Sequence, residues 1–205
     1  IENIYKLGVD LLTFNSSKIY GPKGIAVLYK KRGVDIAPIY TGGGQESGLR
    51  SGTENVVGIV AIAKAFEIAC AMKEKESVRL VKLRDYAMNK LLTLPKASGY
   101  EIILNGDKEN RLPNNVNISI PGISSELLVI ELDARGILVS ERSACSSDDE
   151  SGSHVIQALR KAQNIESSGV DGSLRISLGR STKNSDIDNL VKSLQAILVR
   201  YKNWK

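Results

Sequence analysis

Val9-Asp10-Leu11-Leu12-Thr13-Phe14-Asn15-Ser16-Ser17-Lys18-Ile19-Tyr20-Gly21-Pro22-Lys23-Gly24-Ile25-Ala26-Val27-Leu28-Tyr29 is the stretch on which the fold reading turns. Val9 to Phe14 is a short apolar run that predicts a buried strand, and the small polar residues after it predict a loop delivered to a surface. Gly21-Pro22-Lys23-Gly24 has the composition of a turn, and Ile25 to Tyr29 is a second strand-like run, so the two predict a hairpin. Lys18 falls where strand becomes loop. A lysine there reads either as a surface cation at a strand end or as an amine that desolvation frees for Schiff-base chemistry.

Downstream, Thr41-Gly42-Gly43-Gly44-Gln45 through Arg50-Ser51-Gly52-Thr53 predicts a long glycine-punctuated loop, with Thr53 and Glu54 placed to cap a helix over about 54–72. That helix is apolar nearly all round, which predicts packing on several sides and makes Cys70 a packing residue. Three glycines in a row read equally as a hinge or as backbone amides brought close to a phosphate. Gln45 stands where a Walker motif would continue toward lysine, so that motif is absent.

Lys73-Glu74-Lys75-Glu76 turns the composition charged, and the division into units is expected there, 1–72 and 73–205. Leu80, Leu83, Ala87 and Leu91 predict a second, amphipathic helix. Strands are expected at 101–104, 116–120, 137–139 and 174–178, with helices at 124–134, 153–162 and a final stripe from Ile187 to Tyr201. Strands and helices alternate, so this part reads as one sheet with several helices. Alternation puts Arg175 on the face opposite Leu174 and Ile176, where it suits a carboxylate clamp or a surface ion pair. Glu141 to Ser153 is polar and serine-rich and reads as a solvent-facing loop carrying Cys145, an accessible thiol fit to act as nucleophile or sulfur carrier. Asp148, Asp149 and Glu150 oppose its ionisation.

Composition narrows the function classes. The 205 residues are 42% hydrophobic and 25% charged, as in ordinary soluble proteins. The most apolar stretch, Val56 to Met72, is interrupted by Lys64 and Glu67 and falls short of the roughly 20 residues a bilayer span needs, so no membrane is expected. Twenty-eight basic and 23 acidic residues give +5 without a basic face, so no nucleic-acid partner is expected. Two cysteines and one histidine, His154, are too few for a disulfide framework or a zinc site; no metal and a cytoplasmic setting are expected. The chain opens at Ile1 as if in mid-fold, which reads as part of a longer protein.

The segments Asn15 to Gly24, Gly42-Gly43-Gly44-Gln45-Glu46 through Arg50-Ser51-Gly52-Thr53, Ser143-Ala144-Cys145-Ser146, Ser153-His154-Val155 and Arg175-Ile176-Ser177-Leu178-Gly179-Arg180 occur in one order. Together they resemble the cysteine desulfurases, pyridoxal-phosphate enzymes of the class V aminotransferase group. The resemblance runs through essentially the whole chain. It implies an α/β chain made of the end of the large fold type I cofactor domain, 1–72, plus a complete small C-terminal α+β domain, 73–205. It further implies that Lys18 forms the Schiff base with pyridoxal phosphate, that Asn15 and Ser17 contact its phosphate, and that Thr53 reaches the phosphate of a homodimer partner. By the same resemblance Arg175 is expected to hold the carboxylate of L-cysteine, and Cys145 to take its sulfur as a persulfide, leaving alanine, for a sulfur-acceptor or scaffold protein of iron-sulfur or thio-cofactor assembly. The family usually has serine and histidine where this chain has Asn15 and Ser17, so the imidazole is missing. It also carries an upstream stretch about as long again, so this chain alone is expected to be inactive. Two further readings are a non-catalytic binding or scaffold relative and another class V transaminase or lyase; the loop thiol argues against the latter.

Overall fold

A computed structural model describes residues 3–141, 153–162 and 171–203. The chain divides into two compact units, Ile1–Glu74 and Lys75–Lys205.

In the first unit, a single helical turn, α1 (Ile4–Leu7), leads into strand β1 (Leu11–Asn15), a 3-10 turn over Ser16–Ile19, and strand β2 (Ala26–Lys30). β1 and β2 pair antiparallel with Thr13 opposite Leu28, the hairpin the sequence predicts. The strand is not buried, however. Leu11 and Leu28 are half exposed, because a two-stranded ribbon within this unit covers only the face on which Phe14 stacks against Phe66, ring centroids 5.4 Å apart.

Helix α2 runs Val56–Thr93, 38 residues and so about 57 Å long. The sequence reading expected two helices parted at Lys73. One forms because Lys73-Glu74-Lys75-Glu76 are all good helix formers, with no glycine or proline to stop the ladder. Asn55, and not Thr53, caps it: the Asn55 side-chain oxygen accepts the Gly58 N–H at 3.0 Å. Nor is its first half covered all round, since Val57 is 82% exposed and Val56, Val60 and Ile68 are exposed too. Cys70 is likewise exposed, so it is not a packing residue in this unit.

The second unit holds the main core. After one helical turn, α3 (Pro95–Ser98), strands β3 (Ile103–Leu104), β4 (Asn115–Pro121) and β5 (Asp171–Ser177) form an antiparallel sheet in the order β3-β4-β5. Val116, Ile118, Ile120, Leu174 and Ile176 point to one face, where they meet Leu83, Ala87, Met88 and Leu91 of α2, Leu128 and Leu132 of α4 (Ser125–Asp133), and Ile187, Leu190, Leu194, Ile197 and Leu198 of α6 (Asn184–Lys202) in one buried cluster. Gly136, at φ 74, turns the chain out of α4, as its sequence position predicts. Helix α5 is His154–Ala162. No strand forms at 137–139; the next residue, Ser140, makes an isolated bridge to Arg175. Arg79 ties α2 to the turn after β5, donating to Glu76 and to the carbonyls of Gly179 at 2.8 Å, Arg180 at 3.1 Å and Thr182 at 2.8 Å.

Candidate functional site

The residues singled out by the sequence fall in both units, and each group is built by its own local structure. In the first unit Asn15 ends β1 and caps the 3-10 turn: its side-chain oxygen accepts both the backbone N–H and the hydroxyl of Ser17, each at 2.8 Å. With that oxygen occupied, the outward-facing part of the Asn15 amide is its NH2 group. Lys18 follows on the exposed side of the same turn, so the desolvation that the sequence suggested is not supplied within this unit. Ser16 is the turned-in residue, fully buried, its N–H donating to the Ile25 carbonyl at 3.1 Å and its carbonyl accepting from Gly21 at 3.0 Å.

That turn is tight. A Cβ on Gly21 would lie 2.2 Å from Ser16 Oγ and 3.0 Å from the Ala65 methyl, so only glycine closes it at this separation. Tyr20 pays for the reversal with a left-handed backbone, φ 63. The outcome is a tight turn that carries Asn15, Ser17 and Lys18, with the Ser17 hydroxyl donating to Asn15.

The glycine loop is closed on itself as well. Ser51 donates its hydroxyl to the Thr41 carbonyl at 3.1 Å, and Gly52 donates its N–H to the Gln45 side chain at 3.4 Å. Arg50 lies over the Tyr40 ring, 4.5 Å from its centroid, and donates to the Ser51 carbonyl. Glu46 and Ser47 both take left-handed conformations, φ 49 and 58, a strained pair for residues with side chains. Thr53, beyond this ring and before the Asn55 cap, is exposed and bears a free-standing hydroxyl on an ordered loop.

In the second unit, strand register puts Arg175 directly opposite Asn117, and so on the same face of the sheet, with Ser119 opposite Ser173 beside them. This polar face is the one turned away from the core. It lines a cavity of about 370 Å³ bounded also by Asn105, Asp107, Arg111 and Glu141. Among the described residues no carboxylate pairs with Arg175. The acidic groups on the cavity wall are engaged elsewhere: Asp107 accepts the backbone N–H groups of Glu109 and Asn110, which hold its carboxyl below the usual range, and Glu141 accepts the Ser125 hydroxyl at 2.8 Å. Arg111 hangs beneath the rim, donating to the Asn105 carbonyl, and burial together with the neighbouring Arg84 guanidinium lowers its pKa.

Asn105 and Asn117 were not singled out in the sequence. The alternation of Val116, Ile118 and Ile120 with Asn117 and Ser119 carried the signal, since it already put an amide on the face shared with Arg175. Cys145 and its flanking serines lie outside the described residues. His154 opens α5 with an exposed side chain. Among the described residues no helix is long and apolar enough to cross a membrane.

The chain is similar to known proteins over nearly its whole length. The Aminotransferase class-V profile matches residues 2–190. Cysteine desulfurase IscS of Dictyoglomus turgidum is 39% identical over 99% of this chain and 51% of its own length, and cysteine desulfurase IscS 1 of Archaeoglobus fulgidus is 41% identical over 98% and 50%. Among solved structures, a NifS-like protein superposes with a TM-score of 0.79 at 36% identity, covering 96% of this chain and 48% of that one. A NifS-like protein from Rickettsia africae gives 0.80 at 29% identity, with 95% and 49% covered. The chain therefore has the mixed helix and sheet fold of the fold type I enzymes and spans about half the length of the curated relatives it matches.

Proposed function

We propose, on the premise that this chain belongs to the class V aminotransferase family, that it is part of a cysteine desulfurase that removes sulfur from L-cysteine and hands it on as a persulfide. One observation carries the reading: Arg175 is presented without a carboxylate partner, among the described residues, in a cavity that Asn105, Asn117 and Glu141 share with Val155, Ile156 and Leu159. A guanidinium placed so is a receptor for a planar anion such as an amino-acid carboxylate.

The donor set of the first unit fits pyridoxal phosphate chemically. The Asn15 NH2 group stands on the same turn as Lys18, and the Ser17 hydroxyl, which donates to the Asn15 oxygen in this structure, would turn its proton to a bound phosphate. The Thr53 hydroxyl offers one more, for the phosphate of a second copy in a homodimer. When bound, the cofactor supplies an electron sink for the substrate's α-carbon. Lys18 brings the primary amine that anchors it and that carries a proton to and from the reacting centre.

Cys145 supplies the sulfur acceptor. Its thiolate forms a sulfur-sulfur bond to the substrate, the substrate's carbon-sulfur bond breaks, and that electron pair stays with the carbon fragment, which leaves as alanine once protonated. Residues 1–72 read as the end of the cofactor domain and 73–205 as the small domain. A soluble cytoplasmic enzyme and a sulfur-accepting partner complete the reading. The test is mass spectrometry of protein produced from its full reading frame, loaded with pyridoxal phosphate and treated with L-cysteine: a persulfide is expected on the Cys145 peptide, lost in Cys145→Ala and kept in Cys70→Ala. A persulfide that survives Cys145→Ala refutes the assignment.

A further inference from the structure

The cavity beside Arg175 contains a second donor that the proposed reaction has not used. Asn117 lies directly across from Arg175 on the neighbouring strand, which puts their Cβ atoms about 5 Å apart on one face. The Asn117 amide has a defined orientation: Asn105, itself 9% exposed, donates its NH2 to the Asn117 oxygen at 2.7 Å and to Ser119 Oγ at 2.9 Å, and Ser119 donates back to the Asn105 oxygen at 3.2 Å. With its oxygen taken, Asn117 has its NH2 as the remaining polar group. Among the described residues that nitrogen, like the Arg175 guanidinium, meets no acceptor. Of the carboxylates on the cavity wall, Asp107 accepts from its own turn and Glu141 from Ser125, and neither is within ion-pair distance of Arg175.

We propose that Asn117 is a specificity-determining residue: its NH2 donates to one oxygen of the substrate carboxylate while Arg175 holds the other, and Asn105 is the positioning residue that turns the amide that way round. The inference rests on reading Arg175 as the carboxylate clamp. Two donors on adjacent antiparallel strands match the two oxygens of one carboxylate, and an amide oxygen facing the cavity would repel it. The device therefore selects for the free acid over an ester or amide of the same amino acid.

The experiment is a titration of the isotope-labelled chain with L-alanine, which has the carboxylate and no sulfur, followed by NMR of the Asn117 NH2 and Arg175 Nε–H signals. Both signals are expected to shift along one binding curve with L-alanine and to stay in place with L-alaninamide. Asn117→Asp preserves size and still accepts from Asn105 but replaces the donor by a negative group; it is expected to weaken alanine binding by about tenfold or more, the loss of a hydrogen bond to a charged group. Asn105→Ala is expected to weaken it less and to leave the Arg175 shift in place. Movement of Arg175 alone, binding by Asn117→Asp equal to the parent, or no movement of either signal up to the solubility of alanine overturns the proposal. The persulfide measurement is separate: carboxylate binding without a Cys145 persulfide refutes the desulfurase reading and leaves Asn117 its role, and a persulfide with a silent Asn117 does the reverse.

Discussion

Gly21→Ala puts the lysine turn under direct test. The new methyl would sit 2.2 Å from Ser16 Oγ, 3.0 Å from Ala65 Cβ and 3.3 Å from the Ser16 carbonyl, well inside van der Waals contact on three sides. Ser16 is fully buried, so its hydroxyl has little room to rotate away, and overpacking of this kind costs about 1–3 kcal/mol. Ser16 Oγ has no hydrogen-bond partner among the described residues, so Ser16→Ala by itself is expected to be neutral or stabilising by about 1 kcal/mol. Because the worst overlap is with that oxygen, the double variant is expected to recover most of the loss, leaving a coupling of about 1 kcal/mol or more. Hydrogen exchange of peptides spanning residues 11–30 is the assay, since the Ser16 and Gly21 N–H groups are bonded within the turn. Protection there is expected to fall by roughly 5- to 150-fold in Gly21→Ala, the equivalent of 1–3 kcal/mol. Unchanged protection in the single variant, or strictly additive effects in the double, would refute the claim that close approach of Ser16 and Gly21 fixes the turn.

Arg79→Ala removes three hydrogen bonds that fasten α2 to the turn after β5 and the pairing with Glu76 on α2 itself, and is expected to cost the second unit about 1–3 kcal/mol in chemical denaturation; a loss under a few tenths would show the ties are replaced by water at no cost. Acid stability has a definite sign. The Arg79 hydrogen bond holds Glu76 below 4.5, and hydrogen bonds from Arg135 and Arg200 do the same for Glu131, so both contributions are complete above pH 4.5 and fade as pH falls through the lower folded-state values. Glu76→Gln with Glu131→Gln is accordingly expected to flatten the stability profile below about pH 4.5 and to narrow its difference from the parent in strong acid; a parent profile already flat there contradicts the assignment.

The second unit was legible because each of its elements repeats one period. Val116, Ile118 and Ile120 alternate cleanly, and Ile187 to Tyr201 hold one stripe, so both landed on the core as expected. Arg175 followed from the same alternation. What escaped were features set by tertiary partners: the orientation of Asn117 depends on Asn105, twelve residues earlier and just past the end of β3. The first unit was read less well. Apolar runs at 9–14 and 56–72 signal burial whatever covers them, and within this unit the hairpin and α2 cover only part of each other. The charged tetrapeptide at Lys73 changes composition without changing backbone preference, which is why two helices were expected in what is one, although the division into units does fall there. The capping error at Thr53 has a similar source, since Asn55 two residues later caps as well and sits closer to the first helical turn.

The central claim is that Lys18 is the amine that anchors the cofactor. Protein produced from its full reading frame, loaded with pyridoxal phosphate, reduced with borohydride and digested, gives the most direct measurement. The account expects the phosphopyridoxyl mass on the peptide containing Lys18, with the yellow absorbance gone in Lys18→Ala. Label spread over other lysines, or colour retained in Lys18→Ala, would contradict it.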